Sequence, residues 1–222
     1  MAEYEPLRAS LRRIAETEMV QDSAHDLAHL DRVWLSCQHI SQGERAGNPR
    51  VLLAGSYLHD LINIPKNSEN RAHASSLSAE AAALHLDSLG YDESEIQATQ
   101  HAIEAHSFSA GILPRSIDAL ILRDADRLDA LGAVGIARTF SVAGAMRRTL
   151  YHPEDPFACS RDLDDYKYSI DHWKVKLLVL AQGLATPTGQ AIGQVRVQRM
   201  VSFLEGFAEE IGCELPDAWR QD

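Results

Sequence analysis

The chain has 222 residues and is 45% hydrophobic, which is enough to bury a sizeable core in one domain and excludes a disordered protein. Its 21 Lys and Arg residues against 32 Asp and Glu give a net charge of −11, and no basic run offers a track for a nucleic acid duplex. The three cysteines are scattered, which excludes a disulfide scaffold and fits a reducing cytoplasm, the expected location. The N-terminus lacks the apolar run of a signal peptide, and no membrane association is expected.

Helices are predicted along almost the whole chain, because apolar residues recur at helical spacing while strand-like alternation is hard to find. The expected fold class is therefore all-α. Asn48 followed by Pro49 gives the strongest start signal, since Asn caps a helix and Pro fits its first turn. Gly43 and Gly90 are predicted to end the helices before them. The helices expected in the first half span about residues 6–19, 22–42, 49–61 and 74–89, with a loop at 63–71.

The second half begins with a capping box, in which Asp92 is followed three residues later by Glu95, and this pair predicts a helix that reaches His106. The longest irregular segment is expected at 151–161, which contains two prolines. Further helices are expected at about 116–129, 131–150, 163–184 and 190–211. We expect a single domain over 1–222, with its core at about 20–150 and the C-terminal helices, about 163–211, packing on it.

The most informative feature is an ordered set of four side chains on three predicted helices: His29, the adjacent pair His59 and Asp60, and Asp126. Imidazole and carboxylate groups together suit divalent Mn, Mg, Co, Fe or Zn. Four protein ligands leave open positions on an octahedral ion, where a water loses part of its proton affinity and a phosphate oxygen is polarised. The set therefore indicates a divalent metal cofactor with open positions for a water and a phosphate oxygen.

Four segments around these residues resemble, in order, the successive motifs of HD-domain phosphohydrolases. They are HDLAHLDRVW at 25–34, LLAGSYLHDLI at 52–62, HAIEAHSF at 101–108 and ILRDADRLDALGAVGIARTF at 121–140. The resemblance covers about residues 20–150 and is closest to small bacterial HD proteins that include nucleotide pyrophosphohydrolases. It implies the HD helical fold and carries the metal ligands over to His29, His59, Asp60 and Asp126. Asp126 is preferred because it stands between Ala125 and Arg127, as in the family, and Asp124 is the alternative.

The sequence departs from the family at Asn63, where many HD hydrolases have an acid three residues after the signature Asp. Asn cannot accept a proton at working pH, so a base must come from elsewhere. The catalytic candidates are Glu104, His106 and Asp129. His101 and His106 are left open between a second metal and contacts with substrate phosphate. His25 is interpreted first as a cap, surface or core residue, and orienting His29 or forming an accessory site are the alternatives.

Basic residues near the motifs are the predicted phosphate contacts, because Arg recognises phosphate with two parallel hydrogen bonds and Lys as a point charge. Lys66 and Arg71 follow the pair His59 and Asp60, and Arg127 follows the last ligand, where it could instead pair with Asp124 or Glu104. The segment SIDHW at 169–173 resembles a segment of the same relatives, which adds His172 and Lys176 to the predicted contacts. Substrate binding is therefore assigned to Lys66, Arg71, Arg127, His172 and Lys176.

The function expected is a metal-dependent phosphohydrolase acting on a small phosphorylated substrate, with a nucleotide preferred. The resemblance favours a nucleoside triphosphate cut to monophosphate and pyrophosphate over a 5′-nucleotidase or a cyclic phosphodiesterase. Asn63 motivates the alternative of a non-catalytic sensor of metal and nucleotide, and an iron-dependent oxygenase on the same cage is a further alternative. A homodimer is left open, since no heptad pattern indicates one.

Overall fold

The computed structural model describes residues 2–20, 26–64 and 69–220, and this part of the chain contains α-helices and no β-strand. The all-α prediction is confirmed. Contacts divide the chain into two compact units, Met1–Asp126 and Arg127–Asp222. The prediction of a single domain over 1–222 stays a prediction. The α-helices are α1 Glu5–Glu18, α2 Leu27–Glu44, α3 Pro49–Leu58, α4 Ala74–Leu86, α5 Glu93–His106, α6 Ile117–Asp129, α7 Gly132–Ala145, α8 Leu178–Leu180 and α9 Pro187–Glu210.

Helix α3 lies at the centre of the first unit, where it packs against α1, α2 and α5. Every residue from Val51 to Leu58 is buried. A helix that is apolar all round is expected in such a position, because it has no face to give to solvent. The side chain of Asn48 caps its start by accepting the Arg50 backbone N–H at 2.9 Å. The predicted start is confirmed, and the burial of α3 holds the residues that follow it, His59 and Asp60, against the core.

Helix α6 runs alongside α3 within the first unit. The Asn48 backbone N–H donates to Asp118 Oδ1 at 2.6 Å, which joins the starts of the two helices. Burial raises the pKa of Asp118, and the hydrogen bond from Asn48 opposes that shift. Near the middle of α3, a Cβ on Gly55 would lie only 2.8 Å from a methyl group of Leu122. The two helices therefore approach closely because a glycine faces a leucine there.

A partly buried polar network attaches α1 to α2 and α3. Tyr57 donates its hydroxyl hydrogen to Asp31 Oδ1 at 2.5 Å, and Arg8 donates to the Tyr57 hydroxyl at 2.7 Å and to Asp31 at 2.8 Å. Burial raises the pKa of Tyr57 to about 12, and its hydrogen bond to Asp31 acts in the same direction. Burial also opposes ionisation of Asp31, but the hydrogen bonds from Tyr57 and Arg8 outweigh it and lower the pKa of Asp31.

In the second unit, a helix was predicted at 163–184, but the helix in the structure starts later than the sequence indicated. Asp171 is fully buried, forms a two-pronged ion pair with Arg161 at 2.5 and 2.8 Å, and accepts the Asp164 backbone N–H at 2.7 Å. Tyr168 forms a parallel bridge with Thr149. These contacts keep 163–170 irregular, and a π-helical turn, Trp173–Leu177, then leads into α8.

Several other predicted helix ends differ from the structure by a few residues. Helix α2 continues through Gly43, and Arg45 ends it with a positive φ of 53°. Helix α3 ends at Leu58 rather than 61, and α7 ends at Ala145 rather than 150. Helix α9 begins earlier than predicted, because Thr186 caps it and Pro187 fits its first turn. Part of the loop predicted at 63–71 forms a 3₁₀ turn, Glu69–His73, whereas the predicted start of α2 at 22 or 23 lies outside the described residues.

The remaining helix predictions are confirmed. They include α1, α4 with its end at Gly90, the capping box of α5, and α6. No single described helix is long and apolar enough to cross a membrane, and only α6 and α7 taken together, as a bent pair, meet the requirements of length and composition.

Candidate metal centre

Four potential ligand atoms meet in one cluster of the first unit. The Nε2 atoms of His29 and His59 lie 3.4 Å apart. Asp126 Oδ1 lies 3.5 Å from His29 Nε2 and 3.8 Å from His59 Nε2. Asp60 Oδ2 lies 3.5 Å from His59 Nε2 and 3.9 Å from His29 Nε2. Ligand atoms that share one ion at about 2.0–2.2 Å are themselves separated by roughly 3–4 Å, so His29, His59 and Asp126 have the spacing of a site for a single ion. Asp60 lies beside this site, close to both histidines.

His29 lies in the first turn of α2, and the residue that starts the helix also fixes its backbone. The Asp26 side chain accepts the His29 backbone N–H at 2.7 Å. The sequence analysis missed Asp26, since it predicted the start of this helix at 22 or 23. The missed signal was an Asp at N-cap spacing before the first apolar residues of the helix.

His59 follows the last residue of α3. Its Nδ1 atom lies 3.2 Å from the Gly55 carbonyl oxygen and 3.1 Å from that of Ser56. Carbonyl oxygens only accept hydrogen bonds, so Nδ1 carries the proton and donates it, and Nε2 has a free lone pair. The lone pair is directed at the cluster, which is the arrangement that a metal-binding histidine requires.

Burial differs between the imidazoles and the carboxylates of the cluster. His29 and His59 are 1% exposed, whereas the side chains of Asp60 and Asp126 are 18% and 29% exposed. The histidines therefore form the floor of the site, and the carboxylates lie on the side that water and substrate can reach. Two carboxylates and two neutral imidazoles fit a divalent cation in both charge and ligand type.

His106, at the end of α5, lies beside the cluster. Its Nε2 atom is 3.7 Å from Asp60 Oδ1, and its ring meets the His59 ring edge-on with centroids 4.9 Å apart. Its Nδ1 atom donates to the Ile103 carbonyl at 2.6 Å, so its Nε2 atom faces Asp60. Burial lowers the pKa of His106, as does His59, while Asp60 and Asp126 oppose the shift.

Two groups of ligand atoms in the described part of the chain can each hold a metal ion: His29, His59 and Asp126, and His59, Asp60 and His106. The structure therefore brings all four predicted ligands and His106 together. Asp124, the alternative to Asp126, is fully buried and belongs to neither group.

His101 is engaged elsewhere and belongs to neither group. Its Nε2 atom accepts the Arg115 backbone N–H at 2.9 Å, and its buried Nδ1 atom has no hydrogen-bond partner among the described residues. His101 therefore ties the chain after α5 back to that helix. The Glu104 carbonyl accepts a hydrogen bond from Ser75 at 3.1 Å, and the carboxylate of Glu104 lies in neither group. A catalytic role for Glu104 stays a prediction.

The other predicted site residues belong to the second unit or lie outside the described residues. Asp129 is 2% exposed and forms an ion pair with Arg138, and Arg127 donates to the Gly183 carbonyl at 2.9 Å. His172 Nδ1 lies 2.9 Å from Asp165 Oδ2 in the second unit, and Lys176 is exposed. Lys66 and His25 lie outside the described residues, as does the side chain of Arg71. The roles assigned to these residues stay predictions.

Comparisons with known proteins agree with the site. The HD domain family model matches residues 26–131, a span that contains the whole cluster. The uncharacterized protein YpgQ of Bacillus subtilis (strain 168) is 30% identical over 195 residues, 86% of each chain. The crystal structure of YpgQ in complex with ADP has a TM-score of 0.72 at 27% identity, covering 92% of this chain and 98% of that one. An HD-superfamily hydrolase from Bacillus thuringiensis has a TM-score of 0.70 at 29% identity, covering 94% and 96%. The chain therefore belongs to the HD-domain superfamily of metal-dependent phosphohydrolases.

Proposed function

We propose that this protein is a nucleotide phosphohydrolase that cuts a nucleoside triphosphate into a monophosphate and pyrophosphate. The observation that carries the proposal is the cluster of His29, His59, Asp60 and Asp126, in which two carboxylates lie on the open side of a buried pair of imidazoles. The crystal structure of YpgQ with ADP supports a nucleotide as the ligand.

Metal binding and proton transfer are assigned to different residues. A divalent cation would be held by His29, His59, Asp60 and Asp126, and when bound it would lower the pKa of a water molecule and polarise a phosphate oxygen. The proton on His59 Nδ1 is held by two backbone carbonyls, so this histidine keeps its lone pair on the cluster side. His106 Nε2 lies beside Asp60 and can take or give one proton.

The reaction forms one bond from a water oxygen to the α-phosphorus and breaks the bond from that phosphorus to the bridging oxygen. Pyrophosphate leaves with the bonding electrons, and the proton lost by water is accepted at His106 Nε2 or by solvent. Glu104 and Asp129 remain the other candidates for proton transfer. The proposed contacts to the phosphates are Lys66, Arg71, Arg127, His172 and Lys176.

A non-catalytic sensor is the second candidate, and Asn63 is the observation that favours it. Such a protein keeps the metal site and binds nucleotide but lacks a group that activates water. Hydrolysis of nucleoside monophosphates or cyclic nucleotides would instead indicate a 5′-nucleotidase or a phosphodiesterase.

The deciding experiment measures phosphate and pyrophosphate release from nucleoside mono-, di- and triphosphates and from cyclic nucleotides. Metal-stripped protein is supplied in turn with Mn²⁺, Mg²⁺, Co²⁺, Fe²⁺ or Zn²⁺. We expect metal-dependent release of pyrophosphate from triphosphates, absent in the double variant His59→Ala and Asp60→Ala. His39→Ala is the matched control, because His39 is an exposed histidine of α2 outside both ligand groups. Nucleotide binding without release by any metal would favour the sensor.

A further inference from the structure

Arg123 lies on helix α6 one turn before Asp126, and both residues belong to the first unit. Residues three apart on an α-helix are neighbours, with about 5–6 Å between their Cβ atoms. The Asp126 carboxylate lies 3.5 Å from His29 Nε2 and is 29% exposed, so it borders the open side of the cluster. Arg123 is half-buried, whereas Leu122 and Ala125 are fully buried. The helix therefore places a guanidinium group beside a metal ligand, between the core and solvent.

The guanidinium group of Arg123 contains an unused donor. Its Nε atom is buried and has no hydrogen-bond partner among the described residues. Two other half-buried arginines of the first unit are paired with carboxylates, Arg8 with Asp31 at 2.8 Å and Arg50 with Glu95 at 2.8 Å. Buried donors are rarely left without an acceptor, and a ligand is one of the groups that can supply it.

The charge of the metal site indicates which ligand would fit Arg123. Two carboxylates and two neutral imidazoles would balance the charge of one divalent cation. The several negative charges of a nucleoside di- or triphosphate therefore need a further positive group near the cluster. An arginine suits this purpose, because its planar group donates two parallel hydrogen bonds to the oxygens of one phosphate.

We propose that Arg123 binds a phosphate group of the substrate beside the metal site. Its buried Nε–H and a terminal N–H donate to two oxygens of that phosphate. The proposal rests on the proposed function, which supplies a nucleotide as the ligand. Arg123 is not among the phosphate contacts predicted from the sequence, and the contact needs only residues of the first unit.

The test is isothermal titration of the full chain, loaded with Mn²⁺, with α,β-methylene ADP and with adenosine. The bridging carbon of the ADP analogue prevents its cleavage. We expect Arg123→Gln to weaken binding of the analogue about tenfold, because hydrogen bonds to a charged group are lost. Arg123→Lys should keep more of the affinity, since it retains the charge but not the planar fork. Binding of adenosine, if any, should be unchanged, because adenosine carries no phosphate.

Metal affinity distinguishes a phosphate contact from a residue that only supports Asp126. Arg123→Gln should bind Mn²⁺ as tightly as the wild-type chain or more tightly, because a positive charge near the cation is removed. If Mn²⁺ affinity fell together with affinity for the ADP analogue, Arg123 would act by holding Asp126 in place, and the proposal would be overturned.

Arg13→Gln is the matched control, because Arg13 is an exposed arginine of α1 and the substitution removes the same charge from the same unit. We expect it to change affinity for the analogue less than about twofold, as for a screened surface charge. Equal losses in the Arg13 and Arg123 variants, or unchanged affinity in Arg123→Gln, would overturn the proposal, as would failure of the wild-type chain to bind the analogue. Failure of the proposed function is seen separately, as the absence of pyrophosphate release by a protein whose binding of the analogue depends on Arg123.

Discussion

The Nε2 atoms of His29 and His59 lie 3.4 Å apart, although the residues are 30 positions apart in the chain. His59 has its proton on Nδ1, so its Nε2 directs a lone pair at this contact. Asp126 Oδ1, also an acceptor, lies 3.5 Å from His29 Nε2. Acceptors gathered this closely repel one another unless a cation or a proton lies between them.

A divalent ion should therefore stabilise the folded protein strongly. We expect saturating Mn²⁺ to increase the free energy of unfolding by about 2.7 kcal/mol when its concentration is about 100 times Kd. His59→Ala should remove this effect, and His39→Ala should keep it. Urea unfolding with Mn²⁺ and with chelator measures both. A metal effect that survived in His59→Ala would mean that the ion binds elsewhere.

The cap of α2 should affect both stability and metal affinity. Asp26→Ala removes the acceptor of the His29 backbone N–H, which should cost about 1 kcal/mol of folding free energy. Metal affinity should fall as well, because the first turn of α2 carries a ligand. Asp92→Ala is the control, since it removes the cap of α5 at the end remote from His106. Metal titration of both variants tests whether the cap of α2 affects the metal site. Equal losses of metal affinity in the two variants would contradict this prediction.

His106 should act on protons rather than hold the metal. His106→Gln is expected to lower kcat about 100-fold or more, the usual size of a general acid or base contribution, with the metal content unchanged. Metal analysis beside steady-state kinetics distinguishes the alternatives. If the variant bound one ion where the wild-type chain bound two, His106 would instead be a ligand of a second metal.

The close approach of α3 to α6 should not tolerate a side chain at position 55. Gly55→Ala places a methyl group 2.8 Å from Leu122 and should cost about 1–3 kcal/mol of folding free energy through overpacking. Gly144→Ala is the matched control, because it also replaces a Gly of a helix by Ala. Its added Cβ has no neighbouring atom within 4 Å. That change should stabilise the protein by about 0.5–1 kcal/mol. Denaturant unfolding of the two variants should give effects of opposite sign.

Tyr57 should make stability depend on alkaline pH. Its folded pKa of about 12 lies above the ordinary value of 10, so the folded state holds the proton more tightly. Its contribution is therefore complete below pH 10 and is lost as pH rises toward 12. Tyr57→Phe should cost about 1 kcal/mol at pH 8, and the difference from wild type should shrink as pH rises from about 10 to about 12. An unfolding difference that stayed constant over this range would contradict the assignment.

Local signals predicted most of the fold. The capping box of Asp92 and Glu95 and the pair Asn48 and Pro49 lie within a few residues of the helix starts that they determine, so the sequence displays them directly. The four proposed ligands were identified by their surrounding motifs, and their meeting in space follows from the fold that those motifs indicate.

Long-range contacts account for what could not be predicted. The helix expected at 163–184 starts late because the buried pair of Arg161 and Asp171 and the pairing of Thr149 with Tyr168 override its helical spacing. The closeness of His106 to Asp60 depends on the packing of α5 against α3, which apolar spacing does not specify.

Because α3 and α6 run in parallel, the number of residues in α3 determines whether His59 reaches the metal cluster. The two helices are joined at their starts by Asn48 and Asp118 and meet again where His59 Nε2 lies 3.8 Å from Asp126 Oδ1. One inserted residue within α3 would rotate everything after it by about 100° and advance it by about 1.5 Å. His59 would then leave the cluster even with every original side chain present. This stretch can accept substitutions that respect its packing, but an insertion or deletion there would dismantle the metal centre without altering any of its ligands.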